Sequence, residues 1–268
     1  MILTTPSSKD LAQRVAKNLG RKICCVETIY YTKNEVFMNA APSGQTVIAF
    51  FPNTNDANLN LIEFLFLIKN FKNIIAVIPY IPYSRQDRND NFRTVLNVLK
   101  SSNVKTIITL DIHSLNSINT AEIQVVNIYP HEIFSNLYKK TDDILFVAPD
   151  NGAKKRSQLF ADHLELDIIF IDKNLKTTTN TKKIKGKKCV IIDDIIDSGR
   201  TLEITTSILK QNDAKTIEAF ITHHLNTPYT PEIDKIYTTE SLPLKSTSIN
   251  TEVILIDKIL SKTILNYL

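Results

Sequence analysis

The sequence predicts an α/β fold of two domains, each a mostly parallel sheet flanked by helices, and three observations predict it. Short runs rich in Ile and Val recur with room for a helix between them, which is the pattern of strands buried on both faces. The intervening segments carry apolar residues at spacings of three and four, the signature of helices with one buried face. Several of the runs end in charged residues, at Asp111, Asp150, Lys173 and Asp194. Ligands of open α/β sheets gather beyond the carboxyl ends of the strands, so these positions mark a candidate site.

Taken in order, the strand-like runs are Thr46–Phe51, Ile74–Tyr80, Thr106–Asp111, Ile144–Asp150, Asp167–Lys173, Cys189–Asp194, Lys215–His223 and Val253–Asp257. Helical patterns occupy Asn58–Phe71, Ala153–Leu164 and Thr201–Gln211. A division near Tyr129-Pro130 separates two halves of similar rhythm. The expected domains are 1–130, completed by 252–268, and 131–251. The final stretch Thr251–Leu268 is too long and too periodic to be a loose tail.

Composition narrows the class of function. At 268 residues, with 43% hydrophobic and 22% charged residues, the chain can bury a substantial core. Its richest apolar run, Leu59–Phe71, is interrupted by Glu63 and Lys69, and no run reaches bilayer length, so no membrane partner is expected. The opening Met1-Ile-Leu-Thr-Thr-Pro lacks a basic segment ahead of an apolar one, and a cytoplasmic protein is expected. Cys24, Cys25 and Cys189 lie in apolar strand-like runs without disulfide or zinc spacing and read as buried thiols. A net charge of +4 with scattered basic residues does not call for nucleic acid. The cluster Lys182–Lys188 reads as a solvated lead into the next strand, with some capacity to attract phosphates.

The segment Val190–Leu202 carries the most chemistry. An apolar strand runs into Asp193 and Asp194, then Asp197, then a small-residue turn, Ser198-Gly199-Arg200-Thr201, that opens a helix. Backbone N–H groups and hydroxyls of such a turn hold a phosphate at a helix N-terminus, while the carboxylates accept hydrogen bonds from sugar hydroxyls. Simple helix capping by Asp and Ser explains the turn but not three acids beside a sheet.

These residues resemble the phosphoribosyl-binding loop shared by phosphoribosyltransferases and ribose-phosphate pyrophosphokinases. Ile78-Pro79-Tyr80-Ile81-Pro82-Tyr83-Ser84-Arg85-Gln86-Asp87-Arg88 is similar to the ATP-side signature of the pyrophosphokinases. Thr109-Leu110-Asp111-Ile112-His113-Ser114 resembles their strand-end Asp-x-His. Ala148-Pro149-Asp150-Asn151-Gly152-Ala153 resembles their pyrophosphate loop. The likeness runs from Ser7 to Ser241 and implies two phosphoribosyltransferase-like domains. It also implies a reaction in which the 1-hydroxyl of ribose 5-phosphate attacks the β-phosphorus of ATP, giving phosphoribosyl diphosphate and AMP.

By the same resemblance, Arg85, Gln86, Glu35 and His113 contact ATP. His113 and Asp150 bind Mg²⁺, and Asp150, Asn151, Gly152 and Ala153 form the pyrophosphate loop. Asp193, Asp194, Asp197, Ser198, Gly199, Arg200 and Thr201 hold ribose 5-phosphate. Lys173 takes the place of the catalytic lysine, with His113 beside it as a catalytic group, and a homo-oligomer, dimer or hexamer, is implied. Each assignment has a plainer alternative on the residues alone. Arg85, Asp87 and Arg88 suit a surface ion-pair cluster, His113 a structural histidine and Lys173 a solvated lysine. His223 and His224 are strand neighbours on opposite faces, unable to share a metal.

The chain also departs from the family pattern. The segment Asn89–Phe92 passes almost directly into a helix where members carry an extended loop, and Lys33 replaces an acid of the adenine-side hairpin. Leu175 stands where an arginine follows the catalytic lysine, with Lys176 next to it. Loss of that cation costs about 3 kcal/mol of transition-state stabilisation, on the order of a hundredfold in rate, unless Lys176 substitutes. Arg200 is closer to base phosphoribosyltransferases. Three readings therefore stand: the diphosphokinase, a catalytically weak homologue that regulates or scaffolds a partner, and a base phosphoribosyltransferase.

Overall fold

The computed structural model describes residues 1–268 except 32–34, 39–42, 87–89, 114–117, 119–122, 135–136, 139–142, 173–176, 179–180, 226–231 and 245–249. The chain forms two compact units. One comprises Met1–Ile128, Ser241–Pro243 and Ile256–Leu268, and the other Tyr129–Glu240 and Leu244–Leu255. Among the described residues no helix is long and apolar enough to cross a membrane.

The first unit carries β1 (Ile2–Thr4), α1 (Lys9–Leu19), β2 (Ile23–Cys25), β3 (Thr28–Tyr30), β4 (Val36–Met38) and β5 (Gly44–Phe50). It continues with α2 (Ala57–Ile68), β6 (Phe71–Val77), α3 (Asn91–Ser101), β7 (Val104–Leu110) and β8 (Gln124–Ile128). Six of these strands form a parallel sheet in the order β2-β1-β5-β6-β7-β8, while β3 and β4 pair antiparallel as a separate ribbon. Leu3, Val47, Phe64, Ile74, Leu96 and Ile107 belong to its hydrophobic core. At the start of α2 the Asp56 carboxylate accepts from the Asn58 and Leu59 N–H groups, each at 3.0 Å, satisfying donors that the first helical turn leaves open.

The second unit carries α4 (Pro130–Phe134), β9 (Ile144–Ala148), α5 (Lys154–Leu164), β10 (Asp167–Asp172), β11 (Thr177–Thr178) and β12 (Lys188–Ile196). α6 (Arg200–Gln211), β13 (Thr216–His224), β14 (Lys235–Thr239) and β15 (Thr251–Ile254) follow. Its sheet runs β11-β10-β9-β12-β13-β14-β15, parallel throughout except for the antiparallel edge strand β11. Residue alternation along β13 divides the core into two kinds. Ile217, Ala219 and Ile221 face an aliphatic cluster with Ile191 and Leu209. Phe220, on the other face, stacks on Phe134 at 4.8 Å between ring centroids and lies 5.4 Å from Phe160.

α7 (Asp257–Leu265) closes the chain and packs with α1 in the first unit, where the Asn18 side-chain amide donates to Asp257 at 2.9 Å. The terminal segment expected to complete the first domain as a whole is thus divided. Residues 244–255, with β15, lie in the second unit and only 256–268 in the first. The edge of a sheet offers Thr251–Ile254 a row of backbone partners on β14, and those bonds fix its place.

The doubly wound architecture agrees with the expectation from apolar periodicity. Details of the expected elements differ: α2 ends at Ile68, and Phe71, expected to close that helix, opens β6. β12 continues two residues beyond Asp194, to Ile196, because its ladder with β13 extends to Ile196 opposite His224. Asp193 and Asp194 are strand residues, as the run Cys189–Asp194 expects. Short strands, β1, β8 and β14 among them, lie outside the eight runs expected. Finally, Cys189 is buried as expected, but Cys24 and Cys25 are half-buried, since β2 is an edge strand covered on one side.

Candidate functional site

In the second unit, two loops that follow adjacent strands come together. After β9, the Asp150 carboxylate accepts from the Ala153 N–H at 3.0 Å and so shapes the turn Asp150–Ala153 into α5. After β12, Asp197 and Ser198 lead to Gly199, whose φ of 74° no residue with a side chain adopts readily. Gly199 caps α6, and its carbonyl accepts from the Glu203 N–H at 3.0 Å. Ser198 and Arg200 are exposed, Asp197 and Thr201 half-buried. A turn with positive φ opening a twelve-residue helix leaves first-turn N–H groups directed outward, an arrangement that suits a phosphate.

Asp193 and Asp194 are buried at the end of the central strand, at 8% and 4% exposure. The Asp194 N–H donates to the Asp193 carboxylate at 3.0 Å. Burial first, and then the neighbouring Asp194 charge, push the Asp193 carboxyl well above its usual range, with Arg156 pulling the other way and Asp150 adding to the rise. Asp150 and Asp193 lie at the ends of the adjacent strands β9 and β12.

Arg156 is the residue that sequence reasoning missed. Its Nη1 lies 3.3 Å from the Asp194 Oδ1, with both side chains almost fully buried. The signal was present in the α5 pattern: Arg156 and Ser157 stand four residues before Phe160 and Ala161, and all four face the sheet. A cation in that stripe requires a buried anion opposite. One position on, the Ser157 hydroxyl donates to the Ile192 carbonyl at 3.4 Å and ties the helix to β12.

In the first unit, Arg85 and Gln86 are exposed in the segment that follows β6, and His113 is exposed after the neighbouring β7. The turn between β7 and His113 is tightly held. Asp111 adopts φ 34°, its N–H donates to the Ile128 carbonyl at 2.8 Å, and the Ile112 N–H donates to the Asn127 side chain at 2.9 Å. Glu35 sits at the β3–β4 ribbon, lining with Val36, Asn58, Ile62 and Phe66 a cavity of about 420 Å³. The Tyr83 hydroxyl donates to the side chain of Asn58, and the Gln86 N–H to the Tyr83 carbonyl at 2.8 Å. The segment bearing Arg85 and Gln86 is therefore anchored to one wall of that cavity. Lys173, Leu175, Lys176, Lys33, Asp87 and Arg88 lie outside the described residues.

Comparison with known proteins follows the same division. Residues 1–105 match the N-terminal domain of ribose phosphate pyrophosphokinase, and residues 116–254 match the phosphoribosyl transferase domain. A ribose-phosphate pyrophosphokinase of Listeria ivanovii is 29% identical over 244 residues, 83% of this chain and 77% of that protein. One from Nitrosomonas europaea is 31% identical over 161 residues, 55% of this chain and 51% of its own length. The crystal structure of phosphoribosylpyrophosphate synthetase from Mycobacterium smegmatis shares the fold with a TM-score of 0.85 at 23% identity, covering 100% of this chain and 98% of that one. With both domain types present in order along one chain, this protein belongs to the ribose-phosphate pyrophosphokinase family.

Proposed function

We propose that the chain transfers the diphosphoryl group of ATP to the 1-hydroxyl of ribose 5-phosphate. The anomeric oxygen forms a bond to the β-phosphorus, the bond from that phosphorus to the oxygen bridging α and β breaks, and AMP departs with the bridging oxygen. The hydroxyl proton is released to solvent. The observation that carries this reading is the pairing, at one strand end, of buried carboxylates Asp193 and Asp194 with the positive-φ Gly199 turn that opens α6. One such site serves both the hydroxyls and the phosphate of a phosphorylated pentose.

In this reading the amides and hydroxyls of Ser198–Thr201 take the 5-phosphate, and Asp193, Asp194 and Asp197 accept from the sugar hydroxyls. The turn Asp150–Ala153 presents N–H groups to the diphosphate. Arg85, Gln86 and Glu35 bind ATP, and Lys173 neutralises charge on the transferred group. Most of the acceleration in such a transfer comes from position and charge compensation.

Magnesium fits the donor set. Among the described residues no group of three or more His, Cys, Asp or Glu side chains is gathered to hold a metal. Mg²⁺ commonly uses one or two carboxylates and completes its shell with water and phosphate oxygens, which suits Asp150 in the second unit. When bound, the ion supplies charge neutralisation on the polyphosphate.

The experiment is direct: ATP, ribose 5-phosphate and Mg²⁺ are incubated with the protein and AMP is followed by phosphorus NMR. Stoichiometric AMP and phosphoribosyl diphosphate support the proposal. Binding of both substrates without AMP would favour a catalytically weak regulatory homologue. That second reading draws on the short passage from Gln86 to α3, which the Asn91 side chain spans by donating to Gln86 at 2.8 Å. Self-association is also proposed. Ile29, Tyr30, Phe37, Ile62 and Phe66 are exposed large hydrophobics on the β3–β4 ribbon and α2, a surface that suits a second copy. Sedimentation of the intact chain tests it.

A further inference from the structure

We infer that Arg156 is a positioning residue for ribose 5-phosphate: from α5 it holds the Asp194 carboxylate, in orientation and in charge, for the sugar hydroxyls. The inference rests on the ribose 5-phosphate reading above and assigns a role to a residue outside the loop motifs.

The case begins with where the arginine is. α5 buries Arg156, Ser157, Phe160 and Ala161 against the sheet, and three of these are small or apolar. A guanidinium in that stripe loses its hydration and calls for an anion nearby. Asp194 forms an ion pair with it, its Oδ1 3.3 Å from Nη1, with side-chain exposures of 7% and 6%. Replacing a buried ion pair by apolar residues of similar volume is often neutral or stabilising, so stability alone gives weak grounds for building one here. What an apolar pair cannot do is present a fixed, charged acceptor at a strand end.

The neighbouring carboxylate shows why an anchor is needed. Asp193 and Asp194 are adjacent, both buried, and Asp150 contributes a further negative charge. Like charges in a low-dielectric site disfavour one another's ionised forms. Arg156 touches Asp194, while Asp193 is held by the Asp194 N–H at 3.0 Å. The guanidinium on the helix contacts Asp194 and also offsets charge on Asp193, whose carboxylate in addition accepts from a backbone amide of its own strand. The Ser157 hydroxyl, bonded to the Ile192 carbonyl at 3.4 Å, keeps α5 in the register that aligns Arg156 with Asp194. In this inference Arg156 acts through the carboxylate it contacts.

A double-mutant cycle read by calorimetry tests this. Ribose 5-phosphate is titrated into the intact protein and into its Arg156→Met, Arg156→Lys, Asp194→Asn and Arg156→Met/Asp194→Asn variants, with circular dichroism establishing that each is folded. Expected are an affinity loss on the order of ten- to a hundredfold for Arg156→Met, partial recovery in Arg156→Lys, and no further loss when Arg156→Met is added to Asp194→Asn. Should Arg156→Met prove unfolded, Arg156→Lys carries the same test in the same cycle. Wild-type affinity in a folded Arg156 variant, or losses that simply add, overturns the inference while leaving the ribose 5-phosphate reading intact. Failure of the unaltered protein to bind ribose 5-phosphate overturns both.

Discussion

Arg156 and Asp194 meet across the interface between a helix and the central strand of the second unit, with Nη1 3.3 Å from Oδ1. Asp194 stands on β12, which leads into the turn that opens α6, so charge near the candidate site is organised from inside the fold as well as from its loops. Four predictions follow from this and from the first unit.

Asp193→Asn is expected to stabilise the protein at neutral and alkaline pH while weakening ribose 5-phosphate binding. The Asp193 pKa is raised by burial and by Asp194, so the folded state binds this proton more tightly than the unfolded one. Its contribution is fully present below the ordinary carboxylate range and is lost as pH rises through the raised folded value. The amide carries no charge and can still accept the Asp194 N–H. Thermal melts at pH 8 should rise by about 2–4 °C, the shift that roughly 1 kcal/mol produces in a chain of this size, and the gain should vanish below pH 4. An unchanged or lower melting temperature at pH 8 contradicts the assignment.

Gly199→Ala is expected to cost about 1–2 kcal/mol, since φ 74° is strained for a residue with Cβ. It should also lower ribose 5-phosphate affinity. Gly20→Ala, at φ 61° where α1 ends, provides the control. Denaturant melts of the two variants should show similar losses, with calorimetry separating them: affinity falls only for Gly199→Ala.

Arg85→Ala should raise the KM for ATP by about tenfold to a hundredfold, as the loss of a charge-assisted contact to a phosphate does. Ribose 5-phosphate binding, measured calorimetrically, should be unaltered. Equal effects on both ligands would remove Arg85 from the ATP side.

Tyr30→Phe is expected to destabilise the first unit by about 1–3 kcal/mol. The Tyr30 hydroxyl donates to the Glu63 carboxylate at 2.6 Å, and Glu63 is buried on α2 with its other oxygen lacking a hydrogen-bond partner among the described residues. Burial pushes the Glu63 carboxyl up, and burial followed by the bond to Glu63 pushes Tyr30 up to about 12. Glu63 then favours the folded state below the ordinary carboxylate range and loses that advantage as pH rises through its folded value. Glu63→Gln should flatten the pH dependence of chemical denaturation between about pH 5 and 8, and an unaltered profile would exclude Glu63 as its source.

The sequence by itself determined the fold class and marked the residues of the candidate site. Runs such as Ile144–Ala148 and Cys189–Ile192 are apolar without interruption because a parallel strand meets helices on both faces, and that periodicity is written locally. The acids at 193, 194 and 197 and the glycine at 199 were legible for the same reason, because a strand, a turn and a helix start occupy one short stretch of chain. Tertiary structure decided what local pattern does not hold. The ladder with β13 carried β12 past Asp194, and the edge position of β2 left Cys24 and Cys25 half-covered. The packing of α5 on β12 brought Arg156 to the Asp194 carboxylate. Charges pair across elements far apart in sequence, and the partner depends on the register of a helix on a sheet, which only the assembled core sets.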